Sequence, residues 1–226
     1  MKLLPLTLTA LATVAAAADG YPGEKFTYER LDKNNSLLLI VDHQVGLFHT
    51  ARDLDPNLFR DQVTAHAALG KIFGLPVIMT TSTQAGPNGP LPREIVQMHP
   101  DAPLILREGE VNAWDNQEFR SAVVKTGKKQ IILAGVTTDA NAEASGTTSA
   151  LVRDISNDAM SRAGIHVVSL FSIACDLMRD WRGTPGAKEM IPFFDEYFPV
   201  WGHIARAHQA AVRKGTVLAG EEKLNG

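Results

Sequence analysis

Leu37-Leu38-Leu39-Ile40-Val41 is a continuous apolar run, and it stops at Asp42-His43-Gln44. An apolar run without alternation suits a strand buried on both faces, as in a parallel sheet covered by helices. The next stretch, Pro56 to Phe73, spaces Leu58, Val63, Ala67, Leu69 and Ile72 at helical intervals. Gly74 follows it, where a helix C-terminal glycine often stands. Pro76 to Thr81 reads as a second buried strand. A turn-rich Gly86-Pro87-Asn88-Gly89-Pro90 and a short helix from Leu91 to Met98 lead to a third strand, Leu104 to Arg107. Asn116 to Thr126 reads as a helix with Phe119, Val123 and Val124 on its apolar side, closed by Gly127.

Gln130 to Val136 (Q-I-I-L-A-G-V) gives the fourth strand. Thr148 to Ala163 is a second long helical pattern, with Leu151, Ile155, Ala159 and Met160 on one side. His166 to Phe171 reads as the last strand, and Ala174 to Trp181 as a helix. Pro192 to Val212 is an aromatic-rich C-terminal segment. Strands alternating with helices at these lengths indicate an α/β fold with a mostly parallel sheet. No internal repeat and no interdomain linker interrupts the pattern.

The chain has 226 residues, enough for one domain with a sizeable core. Its 22 Lys and Arg nearly balance 25 Asp and Glu, so no large basic face is available for a nucleic-acid partner. The first residues differ from the rest. Met1-Lys2 precedes an apolar run from Leu3 to Ala18, broken by Pro5 and threonines and ending in four alanines before Asp19. A basic start, a short apolar middle and small residues before a polar break read as a secretory signal peptide over 1–18, and hence a secreted or extracytoplasmic protein. The run is short for a membrane span, so no membrane association is expected after cleavage. The domain is expected over 28–212, with a polar tail over 213–226. Cys175 is the single cysteine, so no internal disulfide forms, and no zinc-type spacing of Cys and His exists. His43, His49 and His66 show no ligand pattern.

In open α/β sheets, ligands bind outside the carboxyl ends of the strands. Asp42 and His43, Thr80 to Ser82, Arg107, and Thr137 to Asp139 all stand just past a strand. A carboxylate that ends an apolar run is partly desolvated, which raises its pKa and suits it to proton transfer. Capping the following turn is the other use of an Asp at that position. Arg107 is placed to stabilise an anion or to pair with Asp42, although a lone arginine at a strand end also suits an exposed surface.

Several stretches carry a resemblance. They are S-L-L-L-I-V-D-H-Q-V-G-L-F (Ser36 to Phe48), T-T-S (Thr80 to Ser82) with G-P-N-G-P-L (Gly86 to Leu91), and V-N-A-W-D-N (Val111 to Asn116). G-K-K-Q-I-I-L-A-G-V-T-T-D (Gly127 to Asp139), E-A-S-G-T-T (Glu143 to Thr148), C-D-L-M-R-D-W-R (Cys175 to Arg182) and T-P-G-A-K-E (Thr184 to Glu189) continue it. Together they resemble the isochorismatase-like cysteine hydrolases, in their YcaC-like branch, from about Tyr28 to Val212. The resemblance implies a three-layer α/β/α fold. It also implies hydrolysis of a small amide, ester or related C–N or C–O substrate without a metal or organic cofactor. In that chemistry an aspartate activates a cysteine thiol, the thiolate attacks the substrate carbon, and water releases the covalent intermediate. The resemblance makes Asp42 the aspartate and Arg107 the basic residue. It puts Asn112, Trp114 and Thr137 at the substrate, and it implies a homo-oligomer.

The chain departs from the pattern at one point. Family members continue A-G-V-x-T-[DE]-V-C, with the cysteine opening a helix whose N-terminus lowers the thiol pKa. This chain reads A-G-V-T-T-D and then Ala140-Asn141-Ala142-Glu143. The Val-Cys pair, its helix and most of the next strand are missing, a gap of about 18 residues at ordinary element lengths. Asn141 stands at the nucleophile's position by count and cannot replace it. Cys175 matches an additional cysteine of this branch, and a buried free cysteine usually serves as a small apolar residue. The chain is therefore expected to be an inactive hydrolase, or else a non-catalytic ligand-binding or oligomer-partner protein. The strand from His166 to Phe171 is expected either to slide in beside Gln130 to Val136 or to leave a gap in the sheet.

Overall fold

The apolar run that ends at Asp42 forms the first strand, β1 (Ser36–Val41), and all six of its residues are buried. A computed structural model describes residues 29–136 and 144–216. The signal-peptide reading of 1–18, Thr137, the junction from Asp139 to Asn141, and the end of the polar tail lie outside the described residues. Two units divide the chain, Met1–Leu31 and Asp32–Gly226. The sheet and the helices belong to the second.

Four strands make one sheet in the order β3-β2-β1-β4. The other three are β2 (Val77–Ser82), β3 (Leu104–Arg107) and β4 (Gln130–Gly135). All three pairings are parallel, with Leu38 opposite Val77, Leu38 also opposite Ile132, and Ser82 opposite Arg107. This agrees with the expected α/β class, and the sheet is wholly parallel.

The helix α1 (Pro56–Phe73) has the bounds that its spacing predicts. Asp55 caps it by accepting from the N–H groups of Asn57 and Leu58, each at 3.0 Å. Gly74 ends it in the left-handed conformation, with φ 62°. The helix lies close on one face of the sheet. A Cβ at Gly70 would meet Val77 Cγ2 at 2.6 Å and Leu38 Cδ2 at 3.1 Å, so a larger residue there would force helix and sheet apart. The short α2 (Arg93–Met98) packs beside α1. The opposite face is covered by α3 (Gln117–Lys125), whose Phe119 and Val123 join Leu37, Leu39, Val41, Ile78 and Ile105 in one buried cluster. Helices on both faces of a parallel sheet make the three-layer architecture.

Past β4 the structure departs from the sequence expectations. His166 to Phe171 is not a strand. Residues 165–169 are irregular and lead into α5 (Leu170–Met178), which follows α4 (Ala150–Arg162). The physical reason lies in the residues themselves. Leu170, Ile173, Ala174 and Leu177 recur at helical spacing and are all buried, and α5 packs against α1. Ser169 fixes the start of that helix by accepting from the Ser172 N–H at 3.1 Å. The helix expected over Ala174 to Trp181 therefore begins four residues earlier and takes the end of the supposed strand with it.

The expected apolar side of α4 is also corrected. Leu151 is 69% and Ile155 61% exposed, while Met160 alone on this helix is buried. Among the described residues no fifth strand extends the sheet beyond β4, so a helix of that length has no sheet surface to cover. The aromatic C-terminal segment resolves into α6 (Ala187–Tyr197) and α7 (Pro199–Lys214). There Phe194 packs against Phe171, Trp181 and Trp201, with ring centroids 5.0–5.9 Å apart.

Candidate active site

Asp42 leaves β1 with φ 56°, a backbone conformation that non-glycine residues seldom adopt and that clusters at functional sites. Its N–H donates to the Thr80 carbonyl at 3.0 Å, which locks the end of β1 to β2. Its carboxylate meets Arg107 at the end of β3. One terminal nitrogen of Arg107, Nη2, donates to both carboxylate oxygens. The guanidinium is fully buried, and the Asp42 side chain is 11% exposed.

Arg107 has no donor left over. Its Nε donates to Thr80 Oγ1 at 3.1 Å, and Nη1 donates to the carbonyls of Glu110 and Val111. Thr80 Oγ1 in turn donates to the Ile105 carbonyl at 2.9 Å, so the hydroxyl is fixed as an acceptor toward Arg107. All the N–H groups of the guanidinium are thus engaged by the protein. In this arrangement Arg107 holds and orients Asp42 and offers nothing to an incoming oxyanion. Burial pushes the Asp42 carboxyl up from the ordinary carboxylate range, against the hydrogen bonds and the charge of Arg107. A carboxylate fixed at a strand end and poised upward in pKa is suited to take a proton from a neighbouring thiol or water.

Gln44 builds the rim. Its Nε2 donates to the carbonyls of Ser82 and Gly89, and its Oε1 accepts from the Ser82 N–H at 2.8 Å. Val45 and Gly46 donate to Pro90 and Asn88 carbonyls, each at 2.9 Å. The loop from Gly86 to Pro90 is therefore stitched to the end of β1. A Cβ at Gly46 would meet the Pro87 carbonyl oxygen at 2.0 Å, so only glycine allows that approach. Gln44 was not singled out as functional from the sequence. Its signal was its place in the D-H-Q run directly after a buried strand.

His43 points inward. Its Nε2 bonds the Ala144 carbonyl at 2.7 Å, and its ring stands edge-on to His66, with centroids 6.2 Å apart. His66 Nε2 bonds the Leu39 carbonyl at 3.0 Å. The carbonyls require Nε2–H in both rings, leaving both Nδ1 atoms buried and without a hydrogen-bond partner. Burial holds His43 down at about 3 and His66 at about 4, so both are neutral core residues at physiological pH.

The other expected site residues are less closely gathered. Asn112 is exposed, and its Oδ1 accepts from the Trp114 N–H at 3.0 Å to cap the turn Ala113–Asp115. Trp114 is half-exposed and stands edge-on to Phe119, with centroids 6.4 Å apart. The chain reaches them directly from Val111, whose carbonyl binds Arg107. Cys175 lies on α5, half-buried, and burial pushes its thiol up, away from the thiolate that nucleophilic attack requires. A shallow groove of about 380 Å³ lies among Pro76, Val77, His99, Pro100 and Pro103. That is the amino end of β2 and β3, opposite Asp42 and Arg107.

No family model matches the chain. It is 38% identical over 205 residues to the probable hydrolase YcaC of Escherichia coli (strain K12), covering 83% of this chain and 98% of that protein. The solved structure of the Escherichia coli YcaC gene product, described as an octameric hydrolase of unknown specificity, matches with a TM-score of 0.78. The match has 38% identity and covers 82% of this chain and 99% of that one. YcaC from Pseudomonas aeruginosa, solved with hexane-2,5-diol and covalent acrylamide, matches with a TM-score of 0.77 at 38% identity, over 82% of this chain and all of that one. With this identity over nearly the full length of its relatives, and with the same three-layer fold, the chain belongs to the isochorismatase-like hydrolases, in their YcaC-like branch.

Proposed function

We propose that this chain is a cysteine hydrolase by descent that retains the acid–base half of its active site and lacks the nucleophile. Its ligand would be a small amide, ester or related C–N or C–O compound, bound at the carboxyl ends of β1 and β3. The observation that carries this reading is the buried Asp42–Arg107 pair, with all of the arginine's N–H groups engaged, in a chain whose one thiol sits on α5 with its pKa pushed up. Asp42 can hold a proton beside a bound carbonyl, but no thiolate is supplied to form the covalent bond. Asn112, Trp114 and Thr137 are proposed as the ligand's wall.

The extent of the alignment supports a missing segment. It runs over 205 positions, whereas 83% of 226 residues is about 188, so about 17 positions carry no residue of this chain. Assembly into a homo-oligomer is proposed because the Escherichia coli relative is octameric. Secretion is proposed on the leader-like residues 1–18 alone.

The test is turnover of a panel of small amides and esters, with and without prior alkylation of Cys175. The reading expects no hydrolysis above buffer in either case. Turnover abolished by alkylation would make Cys175 the nucleophile, and turnover that survives it would point to another group. Either result overturns the proposal. A second reading rests on the abrupt join between two family-like motifs at Asp139-Ala140. It holds that a longer active form also exists. Peptide mass spectrometry of the native protein separates the two, because a peptide with Val-Cys after Asp139 would establish the longer form.

A further inference from the structure

β4 ends the sheet on one side, and among the described residues no further strand pairs with its outer edge. Gln130 and Val136 donate their N–H groups inward, to the carbonyls of Asn35 at 3.1 Å and Val41 at 3.3 Å. Backbone groups alternate in direction along a strand, so those of Ile131, Leu133 and Gly135 point away from β1. The Gly135 N–H is taken by Ser145 Oγ at 3.1 Å. The outward groups of Ile131 and Leu133 have no partner among the described residues, and Ile131 is 43% exposed. The strand Q-I-I-L-A-G carries no charge and no proline, and it pairs with β1 without a bulge. Those are the devices that keep edge strands from pairing, and β4 has none of them.

We propose that two copies of this chain pair antiparallel through β4, joining two four-stranded sheets into one across a two-fold axis. A two-fold contact requires the edge to match only itself, and this edge does. Centred on Ile132, the pairing sets Ile131 of one copy opposite Leu133 of the other, and each such pair exchanges both backbone hydrogen bonds. Charge fixes that register. Lys128 and Lys129 of each copy then lie opposite Val136 and Gly135 of the other. A slide toward the lysines brings like charges face to face, which is destabilising. Ser145 bounds the edge at its other end. The chain's own strand-prone stretch, residues 165–169, does not fill the place. It is irregular and is held by the Ser169 cap at the start of α5. The proposal is independent of the octamer-like assembly considered above, since it assigns one specific contact.

The experiment is hydrogen–deuterium exchange of the full chain at high and low protein concentration, with sedimentation velocity at the same concentrations. The expected result is a dimer whose Ile131 and Leu133 amides are protected. On dilution they should exchange about tenfold faster or more as the monomer appears. Ile131→Lys, at an exposed position, is expected to give a monomer and to abolish that concentration dependence. A chain that stays monomeric overturns the proposal. So does an oligomer whose β4 amides exchange alike at both concentrations, which places the interface elsewhere and leaves the octamer-like reading standing. Protection that persists in the dilute monomer would show residues 165–169 closing the edge within one chain, and also overturns it. If Ile131→Lys does not fold, the exchange data on the unaltered chain decide alone.

Discussion

Mild acid will destabilise this protein through His43 and His66, two fully buried rings that each lack a partner for Nδ1. Both are held below the ordinary histidine value of 6.5, His43 to about 3 and His66 to about 4. The unfolded chain binds protons at these sites from 6.5 downward, and the folded chain does not until about 4 and about 3. Their neutral burial is therefore compatible with full stability above 6.5, and stability is lost as the pH falls through the window below it. One pH unit across that window is worth about 1.4 kcal/mol per group. At about pH 5 the loss is about 2 kcal/mol for each ring and about 4 kcal/mol for both, a large part of a typical folding free energy of about 5–15 kcal/mol. The thermal midpoint should drop by about 10 °C between about pH 7.5 and about pH 5 for a domain of this size. The assay is thermal or urea unfolding followed by circular dichroism at the two pH values. It is run on the unaltered chain and on the double variant His43→Gln, His66→Gln, whose amides keep a donor for the Ala144 and Leu39 carbonyls. The variant should be less stable at neutral pH and far less sensitive to pH. Equal midpoints for the unaltered chain at both pH values, or an undiminished pH dependence in the variant, would refute the reasoning.

Other perturbations follow from the same geometry. Arg107→Met leaves Asp42 buried without its partner and should cost about 3–5 kcal/mol, read as a shift in the urea midpoint. Asp55→Ala removes the cap of α1 and should cost about 1 kcal/mol, with the far-ultraviolet spectrum retained. The chain as a whole should melt below its Escherichia coli relative, because α4 leaves Leu151 and Ile155 in solvent and, among the described residues, no strand of the same chain follows β4 in the sheet. Equal midpoints in a side-by-side melt would contradict that.

Much of the fold was legible because its carriers are local. The run from Leu37 to Val41 has no alternation and stops after five residues at a polar break, which suits a strand buried on both faces. Asp55 and Gly74 bracket α1 with capping chemistry that needs no tertiary context. The stretch from His166 to Phe171 misled for a physical reason. Val167 and Val168 give it strand propensity, but a strand exists only with a strand partner, and among the described residues no strand lies beside it. Helical spacing from Leu170 onward and the serine cap then prevailed. At the site, Asp42 and Arg107 were legible as residues just past strands, and the fold brings them together. What no sequence pattern conveyed is that Thr80, Glu110 and Val111 take up the rest of the arginine. Those partners come from backbone carbonyls and a hydroxyl, which carry no signature in the sequence. Gln44 escaped notice for the same reason, since a glutamine bridging two strand ends and a loop looks like any other polar residue.

The central claim is that this chain keeps the aspartate–arginine half of a cysteine hydrolase site and has no activated nucleophile. Acrylamide, found covalently bound in the structure of the Pseudomonas aeruginosa relative, tests it most directly. The full chain is incubated with acrylamide beside an active YcaC protein, and intact mass is followed over time. The account predicts at most one slow adduct, mapping to Cys175 and forming no faster than on an ordinary unactivated thiol. A rapid stoichiometric adduct on this chain, at Cys175 or anywhere else, would contradict it.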